Sequence, residues 1–396
     1  MSMSSQTTAT IGKIHDILVV GAGPVGCRVA AEVARAGYDV VIMEQKPSLD
    51  SRICCTALVS DECLKRFDLA PELIAKSFDG AMVFPPAGEA ISVRRDRVQA
   101  HALGRPALDR RLYQVAMAHG AQGLFGARVT ALLPDDDGII AKVSRDGLPE
   151  EVRARAAVLA AGFGSRLPGS LGLKSAADWT IGVQAEAEMA KDVGVEVYVG
   201  RTFAPGFFAW LVPVAPNRAH IGLMARRRAK ANFVSFLERL CNSGKVEGST
   251  PPDFRGITLG LPPRTYGERF LVAGDLAGQV KPLTGGGLYF GLLCADIAAR
   301  HLTAALGKDD LSARALAAYE QEWRALLERE LRLGRHARRA FELLGDRQLG
   351  FLFGLARRYA LAERLARSDD IGFDWHGAAL SRAWCLLNPF NLKECK

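Results

Sequence analysis

The stretch "HDILVVGAGPVGCRVAAEVARAGYDVVIMEQ", residues 15–45, constrains the fold more than any other part of the chain. An apolar run enters a glycine-rich turn, Ala and Val then recur at helical spacing, and a second apolar run ends on Glu44. This is a βαβ unit, and it predicts an α/β fold built on a Rossmann-like parallel sheet. In such a unit Gly21 permits the tight turn, Gly23 lets a pyrophosphate approach the backbone, and Gly26 lets the helix pack closely on its strand. The free N–H groups at the helix start then face the phosphates. Glu44, 23 positions after Gly21, stands where a carboxylate accepts hydrogen bonds from ribose hydroxyls. A glycine motif alone is weak; strand, helix and terminal acid together predict a dinucleotide site.

Composition excludes several other classes. The 396 residues, 49% of them hydrophobic, fill one large discontinuous domain and a smaller one. The formal charge is +8, but Lys and Arg are spread among acids without aromatic-interleaved basic motifs, so no nucleic-acid partner is expected. None of the eight cysteines is spaced as CxxC and the seven histidines are scattered, so no metal site is expected and the thiols are read as reduced. The opening "MSMSSQTTATIGKIHD" lacks the basic start and apolar core of a signal peptide; residues 1–13 read as a flexible tail of a cytoplasmic protein. "GLYFGLLCADIAA" is shorter than the roughly 20 residues that span a bilayer, and it contains Asp296.

Along the chain, "MVFPPAGEAISV" reads as a small β excursion, "GRPALDRRLYQVAMAHG" as a helix, and "ARVTALLPDDDGIIAKVSRDG" as a hairpin around an acidic turn. Residues from about 178 to 225 alternate repeatedly and predict an antiparallel sheet. Everything beyond about 310 reads as Arg-rich helix. The expected division is a cofactor domain over 14–75, 97–172 and 256–305, a substrate domain over 76–96 and 173–255, and a C-terminal helical region over 306–396.

A second motif, "GDLAGQVKPLTGGGL", places an Asp after an apolar strand and a glycine triplet at a helix start. Three glycines in a row lose much conformational entropy on folding, so a ligand is the natural explanation. In a flavoprotein Asp275 bonds the ribitol hydroxyls of FAD, while Thr284, Gly285, Gly286, Gly287 and Leu288 bring backbone close to the isoalloxazine ring.

Over roughly residues 14 to 300 the sequence resembles the geranylgeranyl reductase family, flavoproteins of the p-hydroxybenzoate hydroxylase fold. The resemblance rests on "GAGPVG" with Glu44, "CTALVS", "GRPALD", "FAWLVP" and "GDLAGQVKPLTGGGL". It implies that Cys55 lies in the loop lining the active face of the flavin, with Thr56 beside it and Cys54 as a structural neighbour. It also implies that Arg105 contacts FAD with Asp109 orienting it, and that Val129 packs against the adenosine half. Phe208, Trp210 and Pro213 correspond to the family's YxWxFP pattern and are expected to line the substrate cavity. Thr56, Ala57 and Leu58 replace residues that are usually Gly or Glu, which narrows the space above the flavin. Phe163 replaces an acid often linked to pyridine-nucleotide binding in related hydroxylases.

The family's chemistry is reduction of isolated C=C bonds in prenyl chains. An unactivated alkene has no carbonyl to absorb charge, so its reduction needs a dry apolar pocket, aromatic faces and a placed proton donor, for which Cys55 or an ordered water is the candidate. With one dinucleotide fold visible, FAD is expected to be resident, and NADPH or reduced ferredoxin to visit as electron donor. Two alternatives stay open at this stage: a flavin-dependent monooxygenase or halogenase of the same fold, and a flavin-bound sensor without turnover. From Leu331 to Arg367 nine arginines face three acids, a local charge of +6, around "LGFLFGLARRYAL". That pattern predicts peripheral contact with the inner face of the membrane, where a lipid substrate is collected.

Overall fold

The structure, a computed structural model, describes residues 13–50, 53–360 and 372–377. The expected N-terminal tail lies almost wholly outside them. The helices are α1 (Pro24–Arg35), α2 (Asp61–Arg66), α3 (Arg105–Ala118), α4 (Leu167–Ser170), α5 (Ala229–Asn242), α6 (Leu288–Gly307), α7 (Ala313–Leu343) and α8 (Asp346–Arg358).

Three sheets organise the rest. The first runs Tyr266–Gly267, Phe270–Val272, Leu148–Leu159, Ile14–Val20, Val40–Met43, Gln122–Leu124. Its central strands are parallel, and they read as continuous apolar runs because both faces are covered. Ile17 and Val19 point into a core with α1, α3, α6 and α7, whereas Leu18 and Val20 point into a second core with Val129, Leu132, Ile139 and Ala141 of the antiparallel ribbon. That ribbon is the predicted acidic hairpin, Ala127–Pro134 paired with Ile139–Arg145.

The second sheet runs Val246–Ser249, Trp179–Met189, Arg218–Ala225, Phe208–Ala215, Val195–Val199, Gly80–Phe84, Ile91–Arg94, with Asp253–Thr258 added beside Trp179–Met189. It is mixed where an antiparallel sheet was expected, because Gly80–Phe84 joins Val195–Val199 in parallel. These two strands are separated by more than a hundred residues, so no short hairpin fixes their direction. α5 covers one face through Phe233, Phe236 and Leu240, packed with Val183, Leu211 and Ile221. A small third sheet (Leu58–Val59, Ala100–Leu103, Ile74–Phe78) covers part of the other face, where Phe78 and Ala102 meet Val212.

α7 buries Tyr319, Trp323, Leu327 and Leu331, and the Trp323 indole donates to Thr265 Oγ1 at 3.0 Å. Of the remaining C-terminal residues described, Gly372–His376 is not helical, which corrects the expectation of helix throughout. This segment instead packs Trp375 on Tyr289 and Phe290 at the start of α6. Residues 361–371 and 378–396, including Glu363, Arg364 and Arg367 of the expected basic region, lie outside the described residues.

Candidate cofactor and substrate site

The first turn discriminates among its three glycines. Gly21 has φ +106, donates to Met43 O at 2.8 Å, and leaves no room for a Cβ, which would sit 2.6 Å from Ala160 O. A Cβ on Gly26 would lie 2.0 Å from Gly21 O, so α1 packs directly on the turn. Gly23 differs: its φ of −75 suits any residue, and a Cβ there meets nothing within 4 Å. That open space lies at the N-terminus of α1, where free N–H groups and the helix dipole favour an anion. The Glu44 carboxylate is pinned beside the turn, accepting from Ala22 N and Lys46 N at 2.9 Å each. The strand carrying Val129 starts at Ala127, whose N–H donates to Glu44 O at 2.9 Å. Val129 itself is buried.

The second motif forms a closed turn. Lys281 N donates to Gly286 O at 3.0 Å and Gly285 N to Lys281 O at 2.9 Å. Each glycine faces a different neighbour: a Cβ on Gly285 would lie 2.9 Å from Met224 Sδ, on Gly286 2.9 Å from Lys281 Cε, and on Gly287 3.0 Å from Asp275 Oδ1. Thr284 is exposed, and Leu288 opens α6 immediately after. Asp275 Oδ2 accepts from Arg255 at 2.8 Å. A buried chain fixes this turn from behind: Gln279 Oε1 accepts from Gly274 N, Gln279 Nε2 donates to Tyr319, and the Tyr319 hydroxyl donates to Val272 O, at 2.7, 2.9 and 2.9 Å. The two turns together fit FAD, an open anion cradle with a ribose-height carboxylate at one end and a second carboxylate beside crowded glycine backbone at the other.

The cysteine loop between them is held on both sides. Cys54 and Cys55 are both free thiols. Cys54 Sγ lies 3.8 Å from Gly182 O, and burial, reinforced by the neighbouring Cys55, pushes its thiol up to about 12. Arg105 is buried close to Cys55, and Arg105 Nε donates to Asp109 Oδ1 at 2.8 Å. Burial disfavours the Arg105 charge, yet Cys55 and Asp109 more than offset it and hold the group above its ordinary value. Thr56 Oγ1 donates to Gln184 Oε1 at 2.6 Å. Ala57 has φ +52, a left-handed conformation that glycine adopts freely and that costs an alanine about 1 kcal/mol. Leu58 packs against the small cluster of Phe78, Ala102 and Val212.

Opposite this loop lies one face of the second sheet. Gln184, Gly222, Trp210 and Val197 share a register row, and Met224, Phe208 and Val199 share the next on the same face. Phe208 and Trp210 have ring centroids 5.8 Å apart. The Trp210 indole passes over Gly222, where a Cβ would be 2.4 Å from its Cζ2, and its buried Nε1 has no partner among the described residues. Pro213 does not join them. It pairs with Ala219, one residue out of phase, and so falls on the opposite face with Leu211.

Several residues at this site escaped sequence reasoning. Gln184, Arg255, Met224 and Ile257 come from the second sheet, and Asp374 from the C-terminal segment. Lys281 lies inside the quoted glycine motif, and its charge there was the available signal.

Comparisons with known proteins agree with this geometry. Residues 15–234 match the family described as FAD binding domain. Digeranylgeranylglycerophospholipid reductase 2 of Methanopyrus kandleri is 31% identical over 89% of this chain and 91% of its own length. Digeranylgeranylglycerophospholipid reductase of Methanocaldococcus jannaschii is 28% identical over 91% and 93%. A geranylgeranyl bacteriochlorophyll reductase-like protein of Thermoplasma acidophilum superposes with a TM-score of 0.84 at 22% identity, covering 96% of this chain and 98% of that one. A flavin-dependent brominase superposes with a TM-score of 0.70 at 15% identity, covering 95% and 100%, which shows a shared fold.

Proposed function

Since this chain belongs to the FAD-dependent geranylgeranyl reductase family of flavoproteins, we propose that it reduces isolated C=C bonds in the prenyl chains of a membrane lipid. The observation that carries the reading is the stretch of sheet face with Phe208, Trp210, Val197 and Val199, set beside the cysteine loop, where Thr56 meets Gln184, and, through Met224 and Ile257, against the glycine turn. Such a face excludes water and stabilises positive charge developing on an alkene carbon.

Bound FAD, once reduced, supplies the hydride. Gly23 at the start of α1 would hold its pyrophosphate, in a turn that Gly21 and Gly26 allow to close; Glu44 would hold its ribose, Val129 would pack near its adenosine half, and Asp275 with Thr284–Leu288 would hold its ribitol and ring. Cys55, or a water ordered beside it, delivers the proton, with Arg105 close by and Asp109 keeping the guanidinium in place. The electron donor is a visiting NADPH or reduced ferredoxin. Anaerobic mixing of the holoenzyme with each donor separates the two by the rate of flavin bleaching. The proposal as a whole is tested by incubating dithionite-reduced holoenzyme with a geranylgeranyl glycerophospholipid. A product gaining two hydrogens per double bond is expected; unchanged lipid, or a hydroxylated product in a parallel aerobic incubation with NADPH, overturns the reading.

A lipid substrate requires access from a bilayer. Among the described residues no helix is long and apolar enough to cross a membrane. α8 and the Tyr359 that follows it, in contrast, expose Phe351, Leu352 and the Tyr359 ring beside exposed Arg347, Arg357 and Arg358. Asp346 at its start accepts from Arg201 N and Thr202 Oγ1 at 2.6 and 2.7 Å, which ties α8 to the end of the strand Val195–Val199 and so to the rim of the apolar face. This arrangement supports a peripheral position at the inner face of the membrane, with arginines worth about 1 kcal/mol each near an anionic surface.

A further inference from the structure

Behind the glycine turn lies a buried ion pair that the reaction described above does not use. Lys281 Nζ is 2.7 Å from Asp374 Oδ1 and 4.7 Å from the centroid of the Phe373 ring. Both side chains are almost completely buried, at 6% and 2% exposure. The lysine stem fills the space where Gly286 has no side chain. Among the described residues Asp374 Oδ2 has no hydrogen-bond partner, which is costly for a buried carboxylate and makes the lysine charge its main compensation.

Asp374 reaches this place only because the segment Gly372–Gly377 is fastened at several points. His376 N and Gly377 N both donate to Glu330 of α7, at 2.7 Å each. Trp375 packs edge-on against Tyr289, with ring centroids 6.0 Å apart, and Tyr289 hydrogen-bonds Glu62 of α2, the helix that follows the cysteine loop. The segment therefore braces the glycine turn, the start of α6 and the helix after the cysteine loop at once.

We propose that Lys281 and Asp374 act as a charge-setting pair for the bound flavin, in which Asp374, supplied by the C-terminal segment, positions Lys281 behind the glycine turn and sets how much of its positive charge the cofactor feels. Two-electron reduction adds negative charge to a flavin, so an uncompensated cation nearby favours the reduced form and an uncompensated anion disfavours it. The paired state is neutral and leaves the balance between them. Both are positioning residues, and the inference rests on FAD binding at this turn.

The test is the midpoint potential of the FAD-bound protein, read by anaerobic dye-linked titration, in three variants: Asp374→Asn, Lys281→Met and the double change. Asp374→Asn is expected to raise the reduced-to-oxidised ratio at fixed potential about tenfold, and Lys281→Met to lower it about tenfold, each about 30 mV for a two-electron couple. The double variant returns to within about twofold of the unmodified protein. FAD absorbance after gel filtration is recorded for each. Retained flavin with shifts of the same sign, or no shift, overturns the charge-setting role and leaves the cofactor reading standing, whereas absence of flavin from the unmodified protein overturns the cofactor reading. If a single variant fails to fold, Lys281→Arg and Asp374→Glu keep both charges and are to leave the ratio within about twofold; a larger shift overturns the proposal.

Discussion

Gly23 and Gly26 offer a test in which the same added methyl has opposite consequences. On Gly26 the Cβ would lie 2.0 Å from Gly21 O, a backbone atom that moves only with the strand below it. Overpacking of this kind costs about 1–3 kcal/mol or more, so Gly26→Ala is expected to lower the melting temperature of the apoprotein by several degrees. Gly23→Ala meets nothing within 4 Å and needs no change in a φ of −75. Its loss as a helix cap and its gain from a stiffer unfolded chain are each below about 1 kcal/mol and of opposite sign. Its melting temperature is therefore expected to stay within about two degrees. The methyl enters the space assigned to the pyrophosphate, where it separates that group from at least one backbone N–H. A charge-assisted hydrogen bond is worth about 1.5–3 kcal/mol, so FAD affinity is expected to fall roughly ten- to hundredfold. Flavin fluorescence quenching and thermal melting of the apoprotein, measured side by side, read both effects. If Gly23→Ala binds FAD like the unmodified protein, the open space is not a phosphate cradle and the site assignment fails.

Cys55→Ala is expected to keep FAD and lose at least tenfold in turnover, while Cys54→Ala, which removes a thiol pointing at Gly182 O, stays within about twofold; equal losses would contradict the assignment. The Cys54 thiol, raised to about 12 by burial, is expected to resist iodoacetamide at pH 8 in the folded protein, as peptide mass mapping can check. Trp210→Ala is expected to raise KM for a prenyl substrate by roughly 10- to 100-fold with a smaller change in kcat, since a large apolar side chain contributes about 1.5–3 kcal/mol on burial; an unchanged KM would remove Trp210 from the cavity. Burial, reinforced by Lys281, lowers His376 from 6.5 to about 4. The unfolded form then binds more protons between those values, so stability is full above pH 6.5 and is lost as pH falls toward 4, by about 3 kcal/mol at most. Protection factors of the amides in Gly372–Gly377, corrected for the intrinsic pH dependence of exchange, should fall over that range, and constant protection from pH 7 to 4 would refute the linkage.

The two turns proposed to hold the cofactor were legible as glycine turns because each is a local pattern: the glycines, the helix that follows and the acid are all within a few tens of positions. The partners that complete the site were not, because a buried hydrogen bond leaves no local trace. Thr56 meets Gln184 across 128 positions and Lys281 meets Asp374 across 93. Pro213 is another case. Its strand was recognised, but strict alternation already places residue 213 on the face opposite residue 210, and the pattern resemblance overrode that period. The mixed second sheet was hidden for a topological reason, since the parallel partner of Val195–Val199 precedes it by more than a hundred residues.

The C-terminal helices were expected to act together at a membrane, and the structure separates them. α7 turns Tyr319, Trp323, Leu327 and Leu331 inward, and its Tyr319 hydroxyl belongs to the chain of hydrogen bonds that holds the Asp275 turn. Deleting everything after residue 310 would therefore disturb the cofactor site and the surface together, and a loss of membrane binding would carry no meaning. α8 is separable, because Phe351 is 67% exposed, Tyr359 53% and Leu352 40%, so replacing the three by Ser removes little packing. The triple variant is expected to melt within about two degrees of the unmodified protein and to retain FAD. Three exposed apolar side chains entering the headgroup boundary supply a few kcal/mol, so flotation with anionic vesicles at low salt should fall at least tenfold. Reduction of a lipid presented in vesicles should fall with it, while reduction of a short, water-soluble prenyl substrate should not. Equal flotation of the two proteins would return α8 to ordinary scaffold and place the lipid's path elsewhere on the rim of the apolar face.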